Sequence, residues 1–158
     1  MRKKIISTLS MMVMICCLIM TNGSEVQAEE ANSGICVDGS YLTQDSESTV
    51  TVYPRTRGVY MLNGSATITN PGIGKVGAGG STVANFTVNQ IGLSIRVERY
   101  IDGGWVSYTG WVHNLYDTYY AASSKIITVP RGYYYRVKTS HWAATDTTAG
   151  WTNGIWIA

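Results

Sequence analysis

From Thr49 to Ile157 the apolar positions recur at every second residue rather than every third or fourth. Val, Ile, Thr, Tyr and Trp carry this alternation in short runs, each broken by Gly, Ser, Asn or Asp. A period of two belongs to a strand with one buried face. No window sustains the 3.6-residue period of an amphipathic helix. The pattern predicts strands over 49–53, 57–62, 65–70, 82–88, 91–101, 104–113, 124–129, 132–142 and 150–157. Asn63-Gly64 and Asp102-Gly103 are dipeptides suited to type I′ hairpin turns, in which both central residues take positive φ. The stretch 71–80, PGIGKVGAGG, holds five glycines and predicts a long loop or a bulged edge. The expected class is all-β: a single antiparallel β-sandwich of about seven to nine strands.

The hairpin IGLSIRVERYIDGGWVSYTGWV at 91–112 is the best-defined unit. A two-residue turn on Asp102-Gly103 pairs Ile101 with Gly104, Tyr100 with Trp105 and Val97 with Tyr108. Ile91, Leu93, Ile95 and Val97 then share the core face with Tyr108 and Val112. Arg96, Glu98, Tyr100, Trp105 and Trp111 fall on the opposite face. A three-residue loop or a bulge would overturn this sorting, because one extra residue exchanges the faces beyond it.

The stretch RGYYYRVKTSHW at 131–142 alternates in the same way. Tyr133, Tyr135, Val137 and Thr139 form an uncharged set that faces in; Tyr134, Arg136, Lys138, Ser140 and Trp142 face out. The preceding IITVPRGYYYRV resembles the corner of fibronectin type III and other immunoglobulin-like sandwiches, where a Pro/Gly turn leads into a strand through a tyrosine. That resemblance implies a tyrosine hydroxyl bonded back to the main chain a few residues upstream, and either Tyr133 or Tyr135 fits the role. Pro130 lies one residue further from the Tyr135/Val137 pair than in the usual pattern. In such a sandwich the hairpin and this strand are neighbours, and their outer faces merge. The expected patch is Tyr100, Trp105, Trp111, Tyr134 and Trp142, with Arg96, Glu98, Arg136 and Lys138 among them.

The N-terminus changes the charge balance. Arg2, Lys3 and Lys4, the apolar run from Ile5 to Met20 and the small residues around Val26-Gln27-Ala28 compose a signal peptide, expected over 1–28. Residues 29–48 form a polar leader, and 49–158 the sandwich domain. Nine of the 12 Lys and Arg residues and nine of the 10 Asp and Glu residues follow Ala28, so the exported chain is formally neutral. That removes the basic footprint of a nucleic-acid binder. The apolar run falls short of the ~20 residues of a spanning helix, so no membrane span is expected after cleavage. Cys36 is the one cysteine after Ala28 and has no partner within the exported chain.

Catalytic chemistry is sparsely represented. After Glu47 the acids are Glu98, Asp102, Asp117 and Asp146, and Asp102 is taken by its turn, which leaves no evident pair of carboxylates for glycoside hydrolysis. Glu98 is expected to pair with Arg96 or Arg136. Cys36 with His113 or His141 lacks the close ligand spacing of a zinc site and any local signature of a cysteine nucleophile. No enzyme activity, cofactor or metal is expected.

Across nearly the whole chain, the signal segment, GICVDGSYL, the β-rich middle, GYYYRV and the terminal TNGIWI resemble an uncharacterised family of small secreted proteins of Gram-positive bacteria. The resemblance implies export and a sandwich-like domain, and assigns no functional residue. TGWVHNLYDTYYAA at 109–122 is similar to one choline-binding repeat of cell-wall proteins. Such repeats act in tandem stacks, and here there is one copy. The expected function is a secreted, non-catalytic module that binds carbohydrate or a cell-envelope polymer through Tyr100, Trp105, Trp111, Tyr134, Arg136 and Trp142. The alternative is a structural protein of the cell surface whose aromatic residues contact other surface proteins.

Overall fold

A computed structural model describes residue 39, residues 41–54 and residues 58–158. The expected signal segment, Cys36 and most of the expected polar leader lie outside the described residues. The ten strands are β1 (Leu42–Thr43), β2 (Glu47–Val52), β3 (Met61–Thr69), β4 (Lys75–Val88), β5 (Ile91–Ile101), β6 (Gly104–Leu115), β7 (Thr118–Thr128), β8 (Tyr133–Ala143), β9 (Asp146–Trp151) and β10 (Gly154–Ile157). Two strands thus begin before Thr49, inside the expected leader.

The strands form two sheets. One has the order β2-β3-β4-β7; in the other, β6-β5-β8 continues into β9 and β10, which share the far edge of β8, with β1 outside β10. The β1–β10 pair is parallel and the other ladders are antiparallel. Strands β3, β4 and β7 face β6, β5, β8 and β9 across the core, giving the two-sheet, sandwich-like all-β arrangement expected. The tight hairpins β5–β6 and β8–β9 stay within one sheet, whereas the connections β4–β5, β6–β7 and β7–β8 change sheets. Tyr135 fastens the corner by donating from its hydroxyl to the Pro130 carbonyl at 2.7 Å. Tyr133, on the same side of the strand, remains 37% exposed.

Two turn expectations fail. Asn63 and Gly64 lie inside β3, paired with Val83 and Thr82 of β4. The glycine-rich stretch is a loop only up to Gly74; Lys75 to Gly80 belong to β4, hydrogen-bonded to β3 on one side and β7 on the other. Ladders on both flanks override the weak strand preference of glycine. At Gly80 a side chain would press on Leu93 and Thr139 of the opposite sheet at 3.2 Å, so its absence lets the sheets approach. Asp102-Gly103 does form the expected turn, with φ of 50° and 82°.

The core lies between the sheets. Val50, Met61, Ile68 and Val76 from one sheet meet Leu93, Ile95, Val97, Tyr135, Val137, Ile155 and Ile157 from the other. Each fully buried large aliphatic side chain contributes about 1.5–3 kcal/mol. A connected set of polar side chains, Thr82, His141 and Thr139, is buried within this layer. Thr82 donates its hydroxyl to the Gly92 carbonyl at 2.9 Å, so it accepts from Nδ1–H of His141 at 2.8 Å. The other ring nitrogen, Nε2, therefore accepts from the Thr139 hydroxyl at 2.7 Å. The imidazole is neutral and fully partnered, and burial pushes its pKa down to about 4.

Candidate functional site

The β5–β6 ladder decides which aromatic residues reach the surface together. Tyr100 pairs with Trp105 as expected, but the register shifts between Val97 and Glu98: Glu98 opposes Ser107 while Val97 opposes Thr109. Tyr108 is the extra residue, a β-bulge. Beyond it the faces exchange. Trp111 pairs with Ile95 and turns inward, where it packs on the core. Its Nε1–H donates to the Ser123 hydroxyl of β7 at 2.9 Å, and the Lys125 ammonium lies 4.8 Å from its ring centroid. Val112, expected in the core, is 61% exposed. Trp111 therefore leaves the expected patch.

The other expected residues do converge on the outer face of the β6-β5-β8 sheet. At one end Tyr100 and Trp105 meet edge to face at 5.1 Å, and Tyr134 meets Trp156 of β10 at 5.0 Å. In the next row Arg136 donates to Glu98 at 2.8 Å and to the Gly39 carbonyl at 2.9 Å. Glu98 is 7% exposed, so this is a largely desolvated pair rather than a solvated one. Its guanidinium lies 4.4 Å from the Trp105 ring centroid. The far edge of that indole reaches β10, where a side chain at Gly154 would come within 2.6 Å of it. Trp105 is thus laid across the sheet and held from below.

Further along the face Arg96 pairs with Lys138, and Lys138 with Trp151 of β9, whose ring centroid is 5.0 Å from the ammonium. Ser94 and Ser140 form the next row, then Gly92 and Trp142. The Trp142 indole donates to the Asn114 side chain at 3.0 Å, which fixes the ring at the other end of the face.

Trp151 and Trp156 are missing from the sequence expectation. On one continuous strand an odd and an even position face opposite ways. The chain breaks at Thr152-Asn153, where Thr152 takes its main-chain N–H to the Val137 carbonyl at 2.9 Å and its hydroxyl receives the Val137 N–H at 2.9 Å. That break resets the alternation and brings both indoles to the outer face. The run Thr-Asn-Gly is the local signal for such a break.

On the opposite sheet a shallow trough of about 640 Å³ is lined mostly by Ser, Thr, Gly and Ala. Within it the Ser65 and Ser81 hydroxyls bond each other at 2.8 Å. Among the described residues no group of three or more His, Cys, Asp or Glu is arranged to hold a metal ion. No described helix is long and apolar enough to cross a membrane. Comparison with protein-family models, with curated proteins and with solved structures found no match for the chain.

Proposed function

We propose that this protein is a secreted, non-catalytic module that binds a polysaccharide or another cell-envelope polymer on the outer face of the β6-β5-β8 sheet. The observation that carries this is the fixed pose of Trp105, stacked 4.4 Å from the Arg136 guanidinium and only partly buried. A ring held in advance loses little side-chain freedom on stacking against a sugar. Tyr100, Tyr134, Trp142, Trp151 and Trp156 extend the aromatic surface along β8. Tyr134 to Trp142 alone spans about 26 Å at ~3.3 Å per residue, the reach of an extended polymer rather than of one monosaccharide. Trp111 has no part in binding.

The test is tryptophan fluorescence of the exported chain titrated with soluble cell-wall polysaccharides. Trp105→Ala and Trp142→Ala should each lose the response, and Trp111→Phe should keep it. No response with any polymer overturns the proposal.

A second function, protein contact at the cell surface, is favoured by β6. It is an edge strand of 12 residues without Lys, Arg, Asp or Glu, with Val106 51% and Val112 61% exposed. Such an edge can accept another strand. Concentration-dependent sedimentation, lost on placing a lysine at Val112, would favour it over polymer binding.

A further inference from the structure

The centre of the aromatic face carries an unusual charge arrangement. Arg96 and Lys138 are direct cross-strand partners on β5 and β8. Their Cβ atoms therefore stand about 4.5–5.5 Å apart, a position at which like charges destabilise a sheet. Neither joins the ion pair found among the described residues, which is Arg136 with Glu98. Glu98 is the one acid among the described residues of this face, and Arg136 engages it. Arg96 is exposed, with Gly110 rather than a side chain beside it on β6. Lys138 is steered by the Trp151 ring at 5.0 Å. The adjoining row supplies two hydroxyls, Ser94 and Ser140, also direct partners. Two cations and two hydroxyls thus form a square on a rigid sheet, flanked by Trp142 and Trp151.

We infer that the polymer bound on this face is anionic, and that one of its oxyanion groups seats between Arg96 and Lys138 with Ser94 and Ser140 as neutral donors. This rests on the polymer-binding function proposed above. A phosphodiester or a carboxylate meets the same requirement: acceptor oxygens that take charge-assisted hydrogen bonds from a guanidinium fork and an ammonium. Binding also relieves the repulsion between the two cations, so a destabilising pair becomes a recognition element. The aromatic rings take the apolar sugar faces on either side, and the square sets the register of the charged unit.

The experiment compares a glycerol-phosphate polymer, polygalacturonate and neutral dextran as probes for the exported chain and for the double variant Arg96→Gln/Lys138→Gln. The expected result is retention by at least one anionic polymer, weakened at least tenfold between low and physiological salt, with no retention by dextran. The double variant should lose at least tenfold in affinity while its melting temperature stays level or rises, because the repelling pair is gone. Which anionic polymer binds tells phosphodiester from carboxylate. If dextran binds as well as the anionic polymers, or the double variant binds them unchanged, the anion site is overturned and polymer binding stands. A melting temperature lowered by several degrees in the double variant makes the pair structural and also overturns it. If no polymer binds the native chain, polymer binding itself falls. Backbone NMR with sodium phosphate and sodium acetate then decides the site: saturable shifts at 94, 96, 138 and 140 uphold it, and their absence overturns it.

Discussion

The Trp111 indole donates to the Ser123 hydroxyl at 2.9 Å and so joins the edge strands of the two sheets. The strands involved, β6 and β7, are not paired with each other, and each leaves one backbone edge open. Lys125 points inward from β7 to lie 4.8 Å from the same ring, and an inward charge on an edge strand opposes pairing with another chain. Trp111 is a clasp between the sheets rather than a binding residue.

Trp111→Phe should therefore cost about 1 kcal/mol through the lost hydrogen bond, and Trp111→Ala about 3 kcal/mol through lost packing. Thermal melts measure both. Polymer binding should be unchanged in the Phe variant, and a stable variant that no longer binds would show that the ring faces outward after all.

Gly154 and Trp105 are coupled by contact. Gly154→Val places a branched side chain where the indole tip lies and should reduce polymer binding about as far as Trp105→Ala does. The mechanism is loss of pose rather than loss of the ring, so indole emission should shift toward the solvent-exposed range in the Val variant. Binding retained with unshifted emission would break this coupling.

Tyr135→Phe should cost about 1 kcal/mol, because the corner loses the hydrogen bond that its hydroxyl donates to the Pro130 carbonyl. Burial also raises the Tyr135 phenol above its ordinary pKa, so the hydroxyl keeps its proton at any ordinary pH. Tyr133→Phe and Tyr134→Phe should each cost a small fraction of that. Urea midpoints for the three variants check the order.

Glu98→Gln breaks a pair whose side chains are 9% and 14% exposed and leaves Arg136 charged beneath Trp105. The expected loss is about 3 kcal/mol, in the range for removing one partner of a largely buried pair. Arg96→Gln, which breaks no pair, should not destabilise. Equal losses at the two positions would contradict this division.

His141 makes stability depend on pH. Its folded pKa of about 4 lies below the ordinary 6.5, so the folded protein resists protonation that the unfolded chain accepts. The contribution is complete above about pH 6.5 and is lost as pH falls toward 4, amounting to ~3 kcal/mol. Carboxylates titrate in part of the same window, so the informative quantity is the difference between the native chain and His141→Gln. That difference should shrink steadily from pH 7 to pH 4. A difference independent of pH would mean that the imidazole is not buried neutral.

Local chemistry alone determined much of this protein. The alternation along β8 sorts Tyr133, Tyr135, Val137 and Thr139 inward and Tyr134, Arg136, Lys138, Ser140 and Trp142 outward without reference to any other strand, because a pleated backbone turns successive side chains to opposite faces. Of the inward set only Tyr133, at the strand's start, stays 37% exposed. Asp102-Gly103 specifies its own turn, since few residue pairs accept two positive φ values. The all-β class follows from the same short-range rules; the corner is implied by a resemblance that leaves Tyr133 and Tyr135 open, and the hydroxyl bond to Pro130 selects Tyr135. Tertiary structure decided what lies beyond each irregularity. The extra residue at Tyr108 has no local signature, yet it reverses every later position on β6 and takes Trp111 from the surface to the space between the sheets. The break at Thr152-Asn153 works the other way and adds Trp151 and Trp156 to the outer face. Asn63-Gly64 and the glycines of β4 carry turn signals that neighbouring ladders override. Parity is a local quantity only until one residue is inserted, and where a strand absorbs that residue is set by the partners it must pair with and the core it must cover.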